Sequence, residues 1–199
     1  MIEIPIGMRP SHTFLFTDLV GYTALADAEG DDRAAEVALE LQRRVRLLLA
    51  RYGGEEVKAL GDGIMLRCGD PASAVLLGLR IVAELDVDST LPPVRIGIHS
   101  GEAVARNGDW YGRTVNVAAR LCAVAPGGEV LVSDATRNAA GRMRKVDFGE
   151  RRLHWLRNVT EPVATFSARE RACWLQNVRG AVERIGRRSL GPAGPVEAV

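Results

Sequence analysis

The sequence predicts an α+β fold with a ferredoxin-like βαββαβ core and additional strands and helices. Three observations predict it. Residues 12–17 (HTFLFT) are a short run rich in β-formers, as a buried strand requires. Residues 31–52 carry Ala34, Ala38, Leu41, Val45, Leu48 and Tyr52 at alternating spacings of four and three, one apolar stripe along a long helix. Residues 55–60 (EEVKAL) and 63–68 (GIMLRC) read as two strands joined tightly at Gly61-Asp62-Gly63. A further helix and strand complete the order β-α-β-β-α-β, with helices packed on one face of the sheet.

Each element carries its own signals. The first strand ends at Asp18, before a turn at Gly21. The long helix shows Arg33, Glu36, Glu40, Arg43, Arg44 and Arg51 on its other faces and stops at Gly53-Gly54. Asp70-Pro71 opens the next helix in the favoured order of N-cap and then proline at N1. Val75, Leu79, Val82 and Leu85 are its apolar stripe, and Pro92-Pro93 breaks the chain. Strands follow at 94–98 (VRIGI) and 102–106 (EAVAR), then a turn at Asn107-Gly108. A helix covers 113–124, ending before Pro126-Gly127-Gly128. EVLVS is a strand with a short helix after Ser133, and 144–168 reads as further β structure.

Residues 1–168 form one expected domain, and no sensor domain is read ahead of residue 11. Residues 169–190 are expected to form a C-terminal amphipathic helix, with Trp174, Val178, Ala181 and Ile185 on one face and arginines elsewhere. Residues 191–199 are expected to be a disordered tail.

Composition narrows the function. Twenty-six basic residues balance 25 acidic ones, and a net charge of +1 makes no general case for nucleic-acid or membrane-surface binding. Cys68, Cys122 and Cys173 are odd in number and widely spaced, which reads as reduced thiols in a cytosolic protein. There is no signal pattern and no apolar run approaching the ~20 residues of a membrane span. A cytoplasmic protein is expected.

Several residues have the types and positions that chemistry uses. Asp18 ends an apolar strand and Asp62 sits in a tight turn between two strands. Carboxylates so placed suit a hard cation that shares its oxygens with substrate phosphates. Each also has a local explanation: Asp62 serves the turn, and Asp18 caps the following helix. Gly21 and Thr23, in LVGYT, stand where strand gives way to helix, and helix N-termini suit a phosphate chain. Asn116 and Arg120 are one helical turn apart, so an amide and a guanidinium share a face, for a ribose and a phosphate or simply for solvent. Lys58 and Asp109 are each most simply surface charges, but together they offer a donor and an acceptor to a base edge. His154 reads as structural, because no partner His or Cys has metal spacing.

FTDLVGYT, VKALGDGIM and GDWYGRTVNVAARL resemble, in order and spacing, the three central motifs of the class III adenylate/guanylate cyclases. LRNVTEPV resembles that family's later phosphate-binding segment, so the resemblance runs from residue 11 to about 168. It implies the class III nucleotide cyclase fold and an adenylate cyclase that converts ATP to 3′,5′-cyclic AMP and pyrophosphate. It also implies two divalent cations, Mg²⁺ or Mn²⁺, and active sites shared across a head-to-tail homodimer. By position, Asp18 and Asp62 match the metal-binding aspartates and the carbonyl of Leu19 matches a backbone metal ligand. Lys58 and Asp109 match the pair that selects adenine, Asn116 the residue that orients the ribose, and Arg120 the one that stabilises the transition state. Arg157 stands where the family usually has a lysine on the triphosphate; it keeps the charge but replaces a point charge with a planar fork.

Three rival readings are separable. Guanylate-type members usually carry an acid at the Lys58 position and a small polar residue at the Asp109 position. A non-catalytic cyclase-like module is disfavoured by the presence of Asp18, Asp62 and Arg120. A palm-type nucleotidyl transferase needs a basic channel, which the charge and length speak against.

Overall fold

Apolar side chains on both faces of β1 (Ser11–Leu19) put that strand in the middle of the molecule. The computed structural model describes residues 11–171. After β1 come α1 (Tyr22–Glu29), α2 (Asp31–Tyr52), β2 (Gly54–Ala59), β3 (Gly63–Cys68), α3 (Pro71–Asp86) and β4 (Val94–Glu102). The hairpin β5 (Val104–Arg106) and β6 (Asp109–Tyr111) leads into α4 (Arg113–Val124). The chain continues through β7 (Val130–Ser133), α5 (Asp134–Ala140), β8 (Val146–Phe148), β9 (Arg152–His154) and β10 (Val163–Glu170).

The main sheet has the order β2-β3-β1-β4-β7-β10-β8, with β9 also pairing with β10. Its first four strands, with α2 and α3 as the crossovers, are the expected βαββαβ core. β1 is antiparallel to both β3 and β4. β4 pairs with β1 as far as Glu102, opposite Ser11, so it takes in the start of the expected 102–106 strand. Only Val104–Arg106 remains as β5, and it pairs with β6 through the turn at Asn107 and Gly108, both at positive φ.

Alternation along the strands builds two cores. Leu15, Leu19, Ile64, Leu66, Ile96 and Ile98 pack against α2 and α3. Phe14, Phe16 and Met65 face the other way, onto Ala118 and Cys122 of α4. Helices on one face therefore describes α2 and α3 but not α4, which covers the opposite face. The physical reason lies in β1 itself: Leu15 and Leu19 on one row and Phe14 and Phe16 on the other are all buried apolar side chains, so both faces need cover.

α4 lies unusually close to the sheet. A Cβ on Gly97 would stand 2.1 Å from the Cys122 nitrogen and 2.6 Å from the Ala118 oxygen, both backbone atoms. Gly97→Ala is therefore expected to destabilise the protein by about 1–3 kcal/mol, as overpacking does. Urea unfolding measures it, and an unchanged midpoint would show that the helix yields freely.

β10 runs through Arg169 and Glu170, which pair with Asp147 and Val146. The expected helix from 169 is corrected there, because these two residues complete the sheet edge; its remainder, and the expected tail, lie outside the described residues. Among the described residues no helix is long and apolar enough to cross a membrane.

Candidate active site

Asp18 is the last but one residue of β1, and the sheet register sets Gly63 of β3 on one side of it and Arg95 of β4 on the other. The Thr17 hydroxyl accepts the Ile64 N–H at 3.0 Å and ties this end of β1 to β3. Asp62 immediately precedes Gly63, in a turn closed by the Leu60 N–H donating to the Gly63 carbonyl at 2.8 Å. Gly61 takes a φ of +77°, and a Cβ on Gly63 would sit 2.3 Å from the Thr17 oxygen. Both glycines of the turn are thus needed to bring Asp62 beside Asp18.

The two carboxylates feel each other. Burial first, and then the Asp18 charge, push the Asp62 carboxyl above its ordinary value, while its own backbone hydrogen bond and Arg95 pull it down. Paired half-buried carboxylates of this kind fit a hard divalent cation. Among the described residues no group of three or more His, Cys, Asp or Glu gathers to hold a metal unaided. A cation at Asp18 and Asp62 would need backbone or substrate oxygens as well, which is the habit of Mg²⁺ at phosphate sites.

Nothing in the sequence singles out Arg95. Its Nε donates to Asp18 Oδ2 at 2.7 Å, its Nη2 stands 2.5 Å from the same oxygen, and its Nη1 donates to the Ala123 carbonyl at 2.9 Å. Within VRIGI it looks like the polar member of a strand alternation. Only the register, which aligns residues far apart in the chain, reveals its partner. A cavity of about 150 Å³ opens here, lined by Asp18, Gly63 and Arg95 and by Ala119, Cys122 and Ala123 of α4.

Lys58 and Asp109 meet. The Lys58 Nζ donates to Asp109 Oδ2 at 2.5 Å, joining β2 to β6. The Trp110 N–H donates to the other carboxylate oxygen at 2.8 Å. These two bonds, Lys58 first, hold the Asp109 carboxyl below its ordinary value.

The remaining sequence-predicted residues sit on several elements. Asn116 is exposed and Arg120 half-buried on α4, and neither is among the cavity's lining. The buried neighbours Val117 and Leu121 pack instead against Leu156. That contact sets the next residue, the exposed Arg157, near α4. Leu19 is buried. Gly21, with φ at 81°, is the N-cap of α1, no side chain caps that helix, and Thr23 is exposed in its first turn. His154 lies in β9 opposite Val163, and its buried Nε2 has no hydrogen-bond partner among the described residues.

Comparison with known proteins accords with this geometry. Residues 7–158 match the family model described as the adenylate and guanylate cyclase catalytic domain. The chain is 39% identical over 151 residues to a pH-sensitive adenylate cyclase of Mycobacterium tuberculosis, covering 73% of this chain and 38% of that protein. It is 35% identical over 135 residues to an adenylate cyclase of Streptomyces coelicolor, covering 68% and 35%. The chain thus spans little more than a third of the length of these curated relatives. Among solved structures, a Trypanosoma brucei adenylate cyclase described in its monomeric state superposes with a TM-score of 0.71 at 25% identity, over 81% of this chain and 90% of that one. The adenylyl cyclase CyaB of P. aeruginosa shares the fold, with a TM-score of 0.71 at 20% identity, over 83% and 96%.

Proposed function

We propose that this chain, which belongs to the adenylate and guanylate cyclase catalytic domain family, is an adenylate cyclase that makes 3′,5′-cyclic AMP and pyrophosphate from ATP. Membership narrows the chemistry to cyclisation of a nucleoside triphosphate. The observation that carries the choice of base is the contact between Lys58 and Asp109. A lysine donates to adenine N1, and an aspartate accepts from the 6-amino group. Guanine presents an N1 donor and an O6 acceptor, the reverse of both. Each mismatched polar group costs about 1–3 kcal/mol, so this pair favours ATP. The pairing of the two side chains with each other leaves capacity for a base, since an ammonium has three protons and a carboxylate several lone pairs.

In the reaction the ribose 3′-oxygen loses its proton and bonds to the α-phosphorus, while the bond from that phosphorus to the bridging oxygen of pyrophosphate breaks. Asp18, Asp62 and the Leu19 carbonyl are assigned to hold two divalent cations, Mg²⁺ or Mn²⁺, which when bound would acidify the 3′-hydroxyl and neutralise the triphosphate. Asn116 orients the ribose so that attack is in line. Arg120 supplies positive charge where negative charge grows on the α-phosphate. Arg157 binds the triphosphate with a planar fork. Gly21 and Thr23, at the uncapped start of α1, contact the phosphate chain through a helix N-terminus.

Two copies are required in this reading, arranged head to tail. One copy would then supply Asp18 and Asp62, and the other Asn116, Arg120 and the Lys58–Asp109 pair, to each site. The test is product identification after incubating purified protein with ATP or GTP and either Mg²⁺ or Mn²⁺. Cyclic AMP from ATP, well above cyclic GMP from GTP, is the expected result. Cyclic GMP as the main product would replace adenine with guanine in this reading.

A further inference from the structure

The hairpin β5–β6 carries Asp109 but belongs to no larger sheet; its two strands pair only with each other. Asp109 stands next to the turn at Asn107 and Gly108, so backbone pairing alone leaves it at the loose end of a short ribbon. The residue that follows it is differently placed. The Trp110 indole packs into the second core beside Phe14. Its centroid lies 4.3 Å from the His12 ring and 5.6 Å from Phe14, the latter edge-on. The Arg67 guanidinium sits 5.0 Å from the Trp110 ring, within cation–π range.

Arg67 is itself fixed. It pairs with Glu55 through both carboxylate oxygens and contacts His12 Nδ1 at 3.1 Å. His12 and Phe14 lie on β1, and Arg67 lies on β3 directly opposite Phe14. The indole therefore docks the ribbon onto two central strands of the sheet. The same residue's backbone N–H holds one Asp109 oxygen while Lys58 holds the other.

We propose that Trp110 is a positioning residue for base choice: clamped by Arg67, His12 and Phe14, it locks the β5–β6 hairpin to the sheet and so aims the Asp109 carboxylate at the edge of the purine. This rests on the adenylate cyclase reading for the identity of the base. In this role Trp110 acts through Asp109 and not on the base itself. An aspartate free to swing with its ribbon accepts from the 6-amino group of adenine in only a fraction of its positions. It also turns away more readily from the O6 of guanine, so the penalty that separates the two purines shrinks.

The experiment uses the full chain and three variants: Trp110→Leu, which removes the aromatic face, Arg67→Met, which removes the clamp, and the conservative Trp110→Phe. Two readouts are taken. Hydrogen exchange over residues 104–111 reports the ribbon, and dissociation constants for the 3′-deoxy analogues of ATP and GTP report base choice without needing turnover. Trp110→Leu and Arg67→Met are expected to speed exchange in the ribbon about tenfold and to shrink the preference between the two analogues about tenfold. Trp110→Phe, which keeps an aromatic ring, is expected to recover most of both. Unchanged exchange in the ribbon overturns the proposal, and so does a loosened ribbon with an unchanged analogue ratio. Exchange that rises equally throughout the chain, with the ratio unmoved, also overturns it, because the indole would then serve stability alone. A wild-type protein that prefers the GTP analogue removes the adenine reading but not this one, which stands or falls on whether the preference, of either sign, shrinks when the indole is lost.

Discussion

An equal mixture of Asp18→Ala and Arg120→Ala proteins is expected to make cyclic AMP far faster than either protein alone. The separate losses have different causes. Asp18→Ala removes half of the carboxylate pair assigned to the cations, and with it the charge stabilisation they would supply, worth several kcal/mol, or on the order of a hundredfold or more. Arg120→Ala removes the cationic donor proposed for the developing charge, and loss of such a donor typically costs about 3 kcal/mol, or on the order of a hundredfold in rate. Neither change should unfold the chain. Asp18 and Arg95 are both partly exposed, and pairs of that kind contribute about 0–1 kcal/mol. Arg120 is half-buried on α4. In a randomly mixed population half of the dimers are hybrid, and each hybrid has one intact pocket, so about a quarter of wild-type activity should return. The measurement is cyclic AMP formation against mixing ratio, with subunit exchange confirmed by differently tagged chains. No recovery in demonstrably hybrid dimers would end the shared-site reading. Substantial activity in Arg120→Ala alone would end its assigned role.

The second large effect concerns the base. Lys58→Glu combined with Asp109→Cys is expected to lower kcat/KM for ATP by a factor worth about 2–6 kcal/mol in all, roughly thirtyfold at the least, as two polar groups lose their partners. The double variant is the informative one because Lys58 and Asp109 bond to each other. A single change leaves a half-buried charge beside the wrong neighbour and mixes misfolding with specificity, whereas the pair exchanges both together. GTP turnover should rise as ATP turnover falls. ATP kinetics that match the wild type would contradict the assignment of these two residues to the adenine edge.

Much of the fold is legible in the sequence because its signals are local. The helix at 31–52 has an unbroken apolar stripe and a double-glycine stop, and α2 has those limits. Asp70 caps α3 through the Ser73 N–H at 2.8 Å, as the Asp-Pro order implies. α1 is harder to read, since none of its residues is buried and it has no stripe to betray it. The face that α4 occupies is illegible for another reason. The run HTFLFT announces a buried strand but not which helix covers which side, and that depends on Gly97, whose missing side chain makes room for backbone.

The same division holds in the candidate site. Asp18, Asp62, Lys58, Asp109, Asn116 and Arg120 stand out by residue type and motif. Their neighbours do not, because the contacts join distant parts of the chain. Lys58 and Asp109 are 51 positions apart, and Arg95 and Asp18 are 77 apart. Arg67, His12 and Trp110 come from three different strands and share no pattern that spacing would reveal.

The glycine beneath α4 also determines what can move. At Gly97 helix backbone rests directly on strand backbone with no side chain between them to slide, while Phe14, Phe16 and Met65 fill the contact around it. The helix bearing Asn116 and Arg120 is thereby keyed to the strand that holds Arg95 against Asp18. In the proposed head-to-tail pair, each copy would then carry its two sets of polar groups as one body, and tightening around a nucleotide would fall to the seam between copies.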